Sequence, residues 1–130
     1  MGPLVDTSVL VDYFRGVANP ETAAVDKLLA EGLAPATTPI IVQEVLQGYR
    51  HERDVEIAKE DFALFDQLAA PSYDLHRRAA RLFREFRRTG VTSSTVDTLI
   101  VMTALDHRCD LLTRDVVQKR LAGFAGVPLA

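Results

Sequence analysis

The sequence predicts an alternating α/β domain, and three observations lead to that class. Short apolar runs alternate with longer segments whose apolar residues follow the helical period. Turn and helix-cap signals recur about every 15 to 20 residues, as in proteins in which strands and helices alternate. The 130 residues are enough for one hydrophobic core and too few for two. We therefore expect one domain over residues 1–130, with one active site.

The first predicted strand is the apolar pair Leu4-Val5, which ends at Asp6. The hydroxyls of Thr7 and Ser8 are suited to capping a helix, which we predict over residues 9–14. Asp6 is therefore expected at the point where a strand meets a helix.

Two further helices carry clear start signals. Residues 19–21 read Asn-Pro-Glu, which combines a cap residue, a proline in the first turn and an acid near the positive end of the helix dipole; Gly32 is a natural stop. A short apolar stretch ends at Ala36, and Thr38-Pro39 then opens another helix. Glu44 lies inside that helix, among apolar residues.

Two amphipathic segments follow. Residues 54–68 are predicted as an amphipathic helix. The residues that share its inward face are Ile57, Asp61, Leu64, Phe65 and Leu68. Ser72 begins a long helix that runs to about Thr89 and is closed by Gly90. The face of this long helix opposite its apolar stripe is basic.

The last third of the chain contains a helix, a strand and another helix. Ser94 or Thr95 caps a helix over residues 96–107, with Asp97 in its first turn. Residues 110–113 form a predicted strand, and a helix begins at Arg114-Asp115. The tail, residues 126–129, is predicted as a short edge strand.

Composition excludes several classes of protein. The net charge of −3 argues against a nucleic-acid binder that relies on its overall field, so any RNA binding has to be local. Cys109 is the single cysteine, which rules out an intramolecular disulfide and favours a reducing cytoplasm. The chain shows neither a basic leader nor an apolar run of membrane-spanning length, so we expect a cytoplasmic protein without a membrane partner.

Four acids occupy positions from which they can converge. Asp6 and Asp115 follow predicted strands, Asp97 opens a helix, and Glu44 lies on a largely apolar helix. Carboxylates gathered in one cleft repel unless a hard divalent cation lies among them, which points to Mg²⁺, with Mn²⁺ as a substitute. Taken singly, each acid is better explained as a cap, a dipole partner, a turn residue or a surface charge, so spacing alone does not establish the metal site.

Four segments around these acids resemble the motifs of PIN-domain toxins of the VapC family. The motif-like segments are residues 4–16 (LVDTSVLVDYFRG), 38–48 (TPIIVQEVLQG), 95–105 (TVDTLIVMTAL) and 110–115 (DLLTRD). They keep the order of the family's motifs and retain all four acids. One departure is Val116-Val117-Gln118, where the family often has a second Asp and a Phe.

The resemblance implies a three-layer α/β/α fold around a small, mostly parallel sheet. It also implies an Mg²⁺-dependent endoribonuclease, which hydrolyses RNA with a metal-activated water, and the toxin of a toxin–antitoxin pair. Asp6, Glu44, Asp97 and Asp115 would be the catalytic and metal-binding acids, and Ser8 would help to position a carboxylate or a water. A small VapB-type antitoxin and a homodimer are the partners that the family implies.

A basic stripe on the long helix is a candidate surface for RNA phosphates or for an antitoxin. Arg77, Arg81, Arg84 and Arg88 recur at helical spacing on one face. The alternative is an ordinary solvated helix face, because arginine is a good helix former.

Other functions fit the sequence less well. A phosphatase with an Asp nucleophile usually needs a second carboxylate two residues on, where this chain has Ser8. A receiver-like domain needs an acceptor Asp on a middle strand and a well-placed late lysine, and Lys119 is poorly placed. A catalytically silent PIN-fold binding module and a housekeeping RNA-processing nuclease stay open as alternatives.

Overall fold

The computed structural model describes residues 2–130, and Met1 lies outside the described residues. Seven helices and four short strands alternate along this part of the chain. The strands are β1 (Leu4–Val5), β2 (Ala36–Thr37), β3 (Asp66–Gln67) and β4 (Leu111–Leu112). The helices are α1 (Thr7–Phe14), α2 (Pro20–Ala30), α3 (Pro39–Leu46), α4 (Glu52–Phe62), α5 (Tyr73–Arg87), α6 (Thr95–His107) and α7 (Val116–Ala125).

The four strands form one parallel sheet in the order β3-β2-β1-β4. Connections between parallel strands are right-handed, so the steps from β1 to β2 to β3 place α1–α4 on one face of the sheet. The return from β3 to β4 runs in the opposite direction and places α5 and α6 on the other face, where α7 contacts both. The result is the expected three-layer α/β/α fold.

The core lies on both faces of strands β1 and β4. Leu4, Val5 and Leu111 are completely buried, as continuous apolar strands between two helical layers have to be. Buried apolar side chains from all seven helices join them in one cluster. This core fixes where β1 and β4 end, and so fixes the residues that follow them.

Most predicted elements are present, and the start of α1 differs in detail. Asp6 itself is the N-cap, and its side chain accepts a hydrogen bond from the Ser8 backbone N–H. The helix begins at Thr7, so the prediction that Thr7 and Ser8 cap a helix over residues 9–14 was wrong. A carboxylate accepts this bond better than a hydroxyl does, because it is charged and lies at the positive end of the helix.

The helix predicted over residues 54–68 was wrong in its bounds and in its buried face. Helix α4 ends at Phe62, and β3 follows at Asp66–Gln67. Ile57 and Leu64 are 50% and 59% exposed. Strand β3 lies at the edge of the sheet with two exposed polar residues, so it has no apolar signal, and its backbone pairing with β2 decides its conformation.

The predicted tail strand is reduced to a single parallel bridge between Leu129 and Leu111. Among the described helices, none is long and apolar enough to cross a membrane.

Candidate active site

The candidate site lies at the carboxyl ends of two adjacent strands. Asp6 directly follows β1, and Thr113 directly follows β4. The Asp6 backbone N–H donates to the Leu112 carbonyl across the pair, at 2.9 Å. From β1 the chain proceeds through β2 to β3 at one edge of the sheet, and it then returns over the opposite face to β4, on the other side of β1. The direction of the strand order therefore reverses between β1 and β4. An open parallel sheet has its ligand-binding crevice at such a point, at the carboxyl ends of the two strands.

Three carboxylates are each held through one oxygen by the amino terminus of a helix. Asp6 Oδ2 accepts from the Ser8 N–H at 3.0 Å, at the start of α1. Asp97 Oδ2 accepts from the Ser94 N–H at 3.3 Å, in the capping box of α6. Asp115 Oδ1 accepts from an N–H in the first turn of α7 at 2.9 Å. The positive ends of three helix dipoles therefore face the acids and offset part of their mutual repulsion.

Gln118 bridges two of these acids. Its Nε2 donates to Asp6 Oδ1 at 3.1 Å and lies 3.4 Å from Asp97 Oδ1. The residue is completely buried, and its Oε1 has no hydrogen-bond partner among the described residues. The amide thus contacts Oδ1 of Asp6 and Oδ1 of Asp97, which are the carboxylate oxygens that are not bonded at a helix amino terminus.

The electrostatics of Asp97 show that the acids are close enough to interact. Burial raises the pKa of Asp97, and the charges of Asp115 and Asp6 raise it further. The hydrogen bonds with Ser94 act in the opposite direction. A cation among the three carboxylates would favour the charged form and reverse the net effect.

Hydroxyl groups connect the acids at the ends of β1 and β4. Thr113 Oγ1 lies 3.3 Å from both Asp6 Oδ2 and Ser8 Oγ, and it accepts from the Asp115 N–H at 3.1 Å. Ser8 Oγ also accepts from the Arg114 N–H at 3.0 Å. Ser8 therefore supports Asp6 through its backbone, while its hydroxyl fixes the loop that carries Asp115.

Glu44 is joined to the site through Thr7. Its Oε1 accepts a hydrogen bond from Thr7 Oγ1 at 2.8 Å, and its side chain is half-buried. Thr7 is the residue after Asp6, so this hydrogen bond ties Glu44 on α3 to the start of α1. In the part of the chain that the structure describes, Glu44 makes no hydrogen bond to the network around Gln118.

The donor set suits a hard divalent cation, because every candidate ligand is a carboxylate or hydroxyl oxygen. Within residues 2–130, however, no three His, Cys, Asp or Glu side chains are gathered closely enough to hold an ion as they stand. The Gln118 amide is hydrogen-bonded to both Asp6 and Asp97 and so lies between these two carboxylates.

The four arginines of the predicted basic stripe are all exposed: Arg77, Arg81 and Arg84 on α5, and Arg88 at its C-cap. Arg81 donates to Glu85 at 2.9 Å, so part of its charge is already paired. Arg84 lines a pocket of about 290 Å³ together with Thr95 and Thr98, in the first turn of α6. Asp97 lies in the same turn but does not line this pocket. The role of the stripe in binding stays a prediction.

Sequence reasoning missed four residues of this network: Thr7, Thr113, Arg114 and Gln118. One signal was available for Gln118, which shares a helical stripe with the buried residues Leu121 and Ala122. A polar residue on an apolar stripe needs a polar partner. For Thr7 and Thr113 only their neighbours Asp6 and Asp115 gave a hint.

Comparison with known proteins agrees with this fold. The PIN-domain family model matches residues 4–124, so the chain belongs to the PIN-domain family. Within that family it is similar to the VapC ribonuclease Mb1587 of Mycobacterium bovis and to ribonuclease VapC11 of Mycobacterium tuberculosis. Each is 30% identical over 114 residues, which cover 86% of this chain and 85% of the relative.

Solved structures show the same fold. A toxin–antitoxin complex from Klebsiella pneumoniae contains a chain that is 27% identical, with a TM-score of 0.73 and coverage of 97% of this chain and 95% of that one. A DNA-bound VapBC from Salmonella typhimurium has a TM-score of 0.81 at 12% identity, covering 100% and 97%. At that identity the second likeness concerns the fold alone.

Proposed function

We propose that this protein is a Mg²⁺-dependent endoribonuclease and the toxin of a VapBC-type toxin–antitoxin module. The observation that carries the proposal is the placement of Asp6, Asp97 and Asp115 at one edge of the sheet, each fixed through one oxygen by a helix amino terminus. Such fixing orders all three side chains in advance: the second oxygen of Asp115 is left for a ligand, whereas the second oxygens of Asp6 and Asp97 are hydrogen-bonded to the Gln118 amide. The VapC ribonucleases among the relatives support the choice of RNA as substrate.

The four acids have distinct roles in this proposal. Asp6, Asp97 and Asp115 hold the cation, and Glu44, held by Thr7, completes the set. The bound ion, Mg²⁺ or Mn²⁺, supplies Lewis acidity to a phosphodiester and activates a water for its hydrolysis. Ser8 and Thr113 keep Asp6 and the Asp115 loop in register, since their hydroxyls connect β1 to β4.

The same proposal covers the setting of the enzyme. One domain spans residues 1–130, acts in the cytoplasm and pairs as a homodimer, with a small VapB-type antitoxin as its inhibitor. The toxin–antitoxin and VapBC complexes among the similar structures support the antitoxin partner. The single cysteine is consistent with a reducing compartment.

The test is cleavage of total bacterial RNA by the purified protein, with Mg²⁺ or Mn²⁺, with EDTA, and with the Asp97→Asn variant. Asparagine keeps the shape of the side chain and can still accept from Ser94, so the fold should persist while cleavage falls below detection. Asp54→Asn, which changes an exposed acid on α4, is the matched control and should cleave normally. Sequencing of the new RNA ends names the target.

Intact RNA under all conditions, from folded protein free of antitoxin, would favour the catalytically silent binding module. The bridging Gln118 amide is the specific observation behind that second candidate, because it occupies oxygens that a metal needs. Growth arrest on expression, relieved by a small protein encoded beside the gene, distinguishes a toxin from a housekeeping nuclease.

A further inference from the structure

Gln118 lies where the acids meet, and neither packing nor helix capping explains its amide. It is completely buried on α7, where an apolar side chain of similar size would fill the same space. Its Nε2 contacts Asp6 Oδ1 and Asp97 Oδ1, while its Oε1 is buried without a partner. A buried carbonyl oxygen without a partner is rare and calls for an explanation.

The two ends of the amide have nearly the same size and opposite polarity. A half turn about the last side-chain bond therefore exchanges Nε2 and Oε1 without changing the packing, and this bond has a broad, two-fold torsional preference. Either orientation leaves one polar atom of the amide unpaired. The charge between Asp6 and Asp97 then decides which end of the amide faces them.

When no cation lies between the two carboxylates, the N–H end of the amide is favoured to face them, and this is the orientation in the structure. With a divalent cation between the same carboxylates, the N–H end is repelled and the carbonyl oxygen is attracted. Amide oxygens are ordinary ligands of Mg²⁺, Mn²⁺ and Ca²⁺.

We propose that Gln118 responds to the metal: its Nε2 holds Asp6 and Asp97 in the metal-free site, and its Oε1 turns inward to coordinate a divalent cation when one binds. This inference rests on the proposed function, because it places the cation among the same acids. It goes beyond that function in assigning a metal ligand on α7 that is not a carboxylate, and in giving the metal-free site a defined structure.

The first measurement is the affinity of four proteins, the wild type and three variants, for Mn²⁺. The electron paramagnetic resonance signal of free Mn²⁺ monitors the binding. Gln118→Met removes both ends of the amide and keeps its length, so we expect affinity to fall about tenfold or more. Gln118→Glu keeps an oxygen at the same place and should bind at least as tightly as the wild type. Gln67→Met, whose amide donates to the Phe62 carbonyl away from the site, should leave affinity unchanged.

The second measurement detects the turn of the amide directly. In ¹⁵N-labelled protein, Mg²⁺ should move the side-chain amide resonances of Gln118, which are assigned by their loss in Gln118→Met. The amide resonances of Gln67 should stay in place. Melting curves with and without Mn²⁺ show that each variant is folded, and the metal should raise the Tm of Gln118→Met less than that of the wild type.

Each remaining outcome overturns the inference. Tighter Mn²⁺ binding by Gln118→Met would mean that the amide only blocks the site, and equal binding would mean that it only fills space. Failure of the wild type to bind Mn²⁺ would overturn both this inference and the metal part of the proposed function. Wild-type Mn²⁺ binding with the expected order of variants, but no RNA cleavage, would keep the Gln118 assignment and reject the nuclease alone.

Discussion

Asp115 serves two purposes that ordinarily fall to different residues. Its Oδ1 caps α7 through the Gln118 N–H at 2.9 Å, and its charge raises the pKa of Asp97. A helix cap needs only a short side chain with an acceptor, whereas a metal ligand needs the negative charge. The two roles are therefore separable by substitution.

Asp115→Asn should keep the stability of the protein and lose RNA cleavage, because asparagine caps a helix as well as aspartate does. Asp115→Ala should lose cleavage and also about 1 kcal/mol of the free energy of unfolding. Urea denaturation and cleavage assays on both variants make the comparison. Cleavage at the wild-type rate by Asp115→Asn would remove Asp115 from the catalytic set.

Ser72→Ala is the matched control for the stability term. Ser72 caps α5 through the Leu75 N–H at 3.1 Å, and it belongs to a helix start remote from the acids. Its replacement should cost about 1 kcal/mol as well, yet leave cleavage intact. A loss of cleavage in this variant would show that the assay reports stability and not the site.

At the scale of the elements, an ion-pair network joins α5 to the last turn of α6. Arg78 donates to both oxygens of Asp106 at 2.7 Å and to Asp74 at 2.9 Å. The hydrogen bond from Arg78 lowers the pKa of Asp106 below its usual range. Because α6 carries Asp97 at its other end, this network holds the helix that presents one of the acids.

Asp106→Asn should lower the Tm slightly at neutral pH and have no effect in strong acid. A carboxyl whose pKa is lowered by folding stabilises the protein above its unfolded pKa, and that contribution disappears as the pH falls through the folded pKa. The effect is small because Arg78 and Asp106 are partly exposed. Melting curves of both proteins across acidic pH measure the difference.

Asp54→Asn is a suitable control, since Asp54 is exposed and forms no ion pair in the described chain. Its substitution should give no comparable pH-dependent difference from the wild type. A difference for Asp106→Asn that persists unchanged into strong acid would mean that the network contributes through packing instead of charge.

At the scale of the whole molecule, the proposed RNA substrate is a polyanion, whereas the protein has a net charge of −3. Cations have to be concentrated near the cleft, since the overall field is unfavourable. The exposed arginines of α5 are the candidates for this role, and Arg84 lines a pocket with Thr95 and Thr98 in the first turn of α6.

The double variant Arg81→Ala/Arg84→Ala should weaken RNA binding and reduce its dependence on salt concentration. Each phosphate contact to single-stranded RNA contributes about 0.7 to the slope of log K against log salt. Filter binding with the cleavage-inactive Asp97→Asn protein as background, at several salt concentrations, measures that slope. Arg53→Ala on α4 is the control, and an unchanged slope in the double variant would reject the basic stripe as an RNA contact.

The predictability of the elements followed the strength of their local signals. Helix α2 was predicted from its Asn cap and Pro20, and these residues act locally in the folded chain as they do in the sequence. Strand β3 was missed, because its residues Asp66 and Gln67 are polar and exposed. Its conformation depends on hydrogen bonds to β2. Ala36 of β2 pairs with Asp66 of β3, so the paired residues are about thirty positions apart in the sequence.

The predictability of the candidate site has the same limit. The sequence indicated Asp6, Asp97 and Asp115, because each follows a strand or opens a helix, and such positions can be read from neighbouring residues. Gln118 was noted only as a departure from the family's motif. Its contacts with Asp6 and Asp97 span 112 and 21 residues, and no local pattern predicts them.

By itself, the sequence determined the α/β class, most helix boundaries and the membership of the acids in four ordered motifs. Local forces set the class and the helix boundaries, namely apolar periodicity, helix capping and the conformational limits of proline and glycine, whereas the motifs were identified by their resemblance to the family. Only the tertiary structure decided that Gln118 bridges Asp6 and Asp97, that Thr7 holds Glu44, and that β3 completes the sheet. These contacts arise because the sheet brings distant segments together, and their geometry exists only once the core has formed.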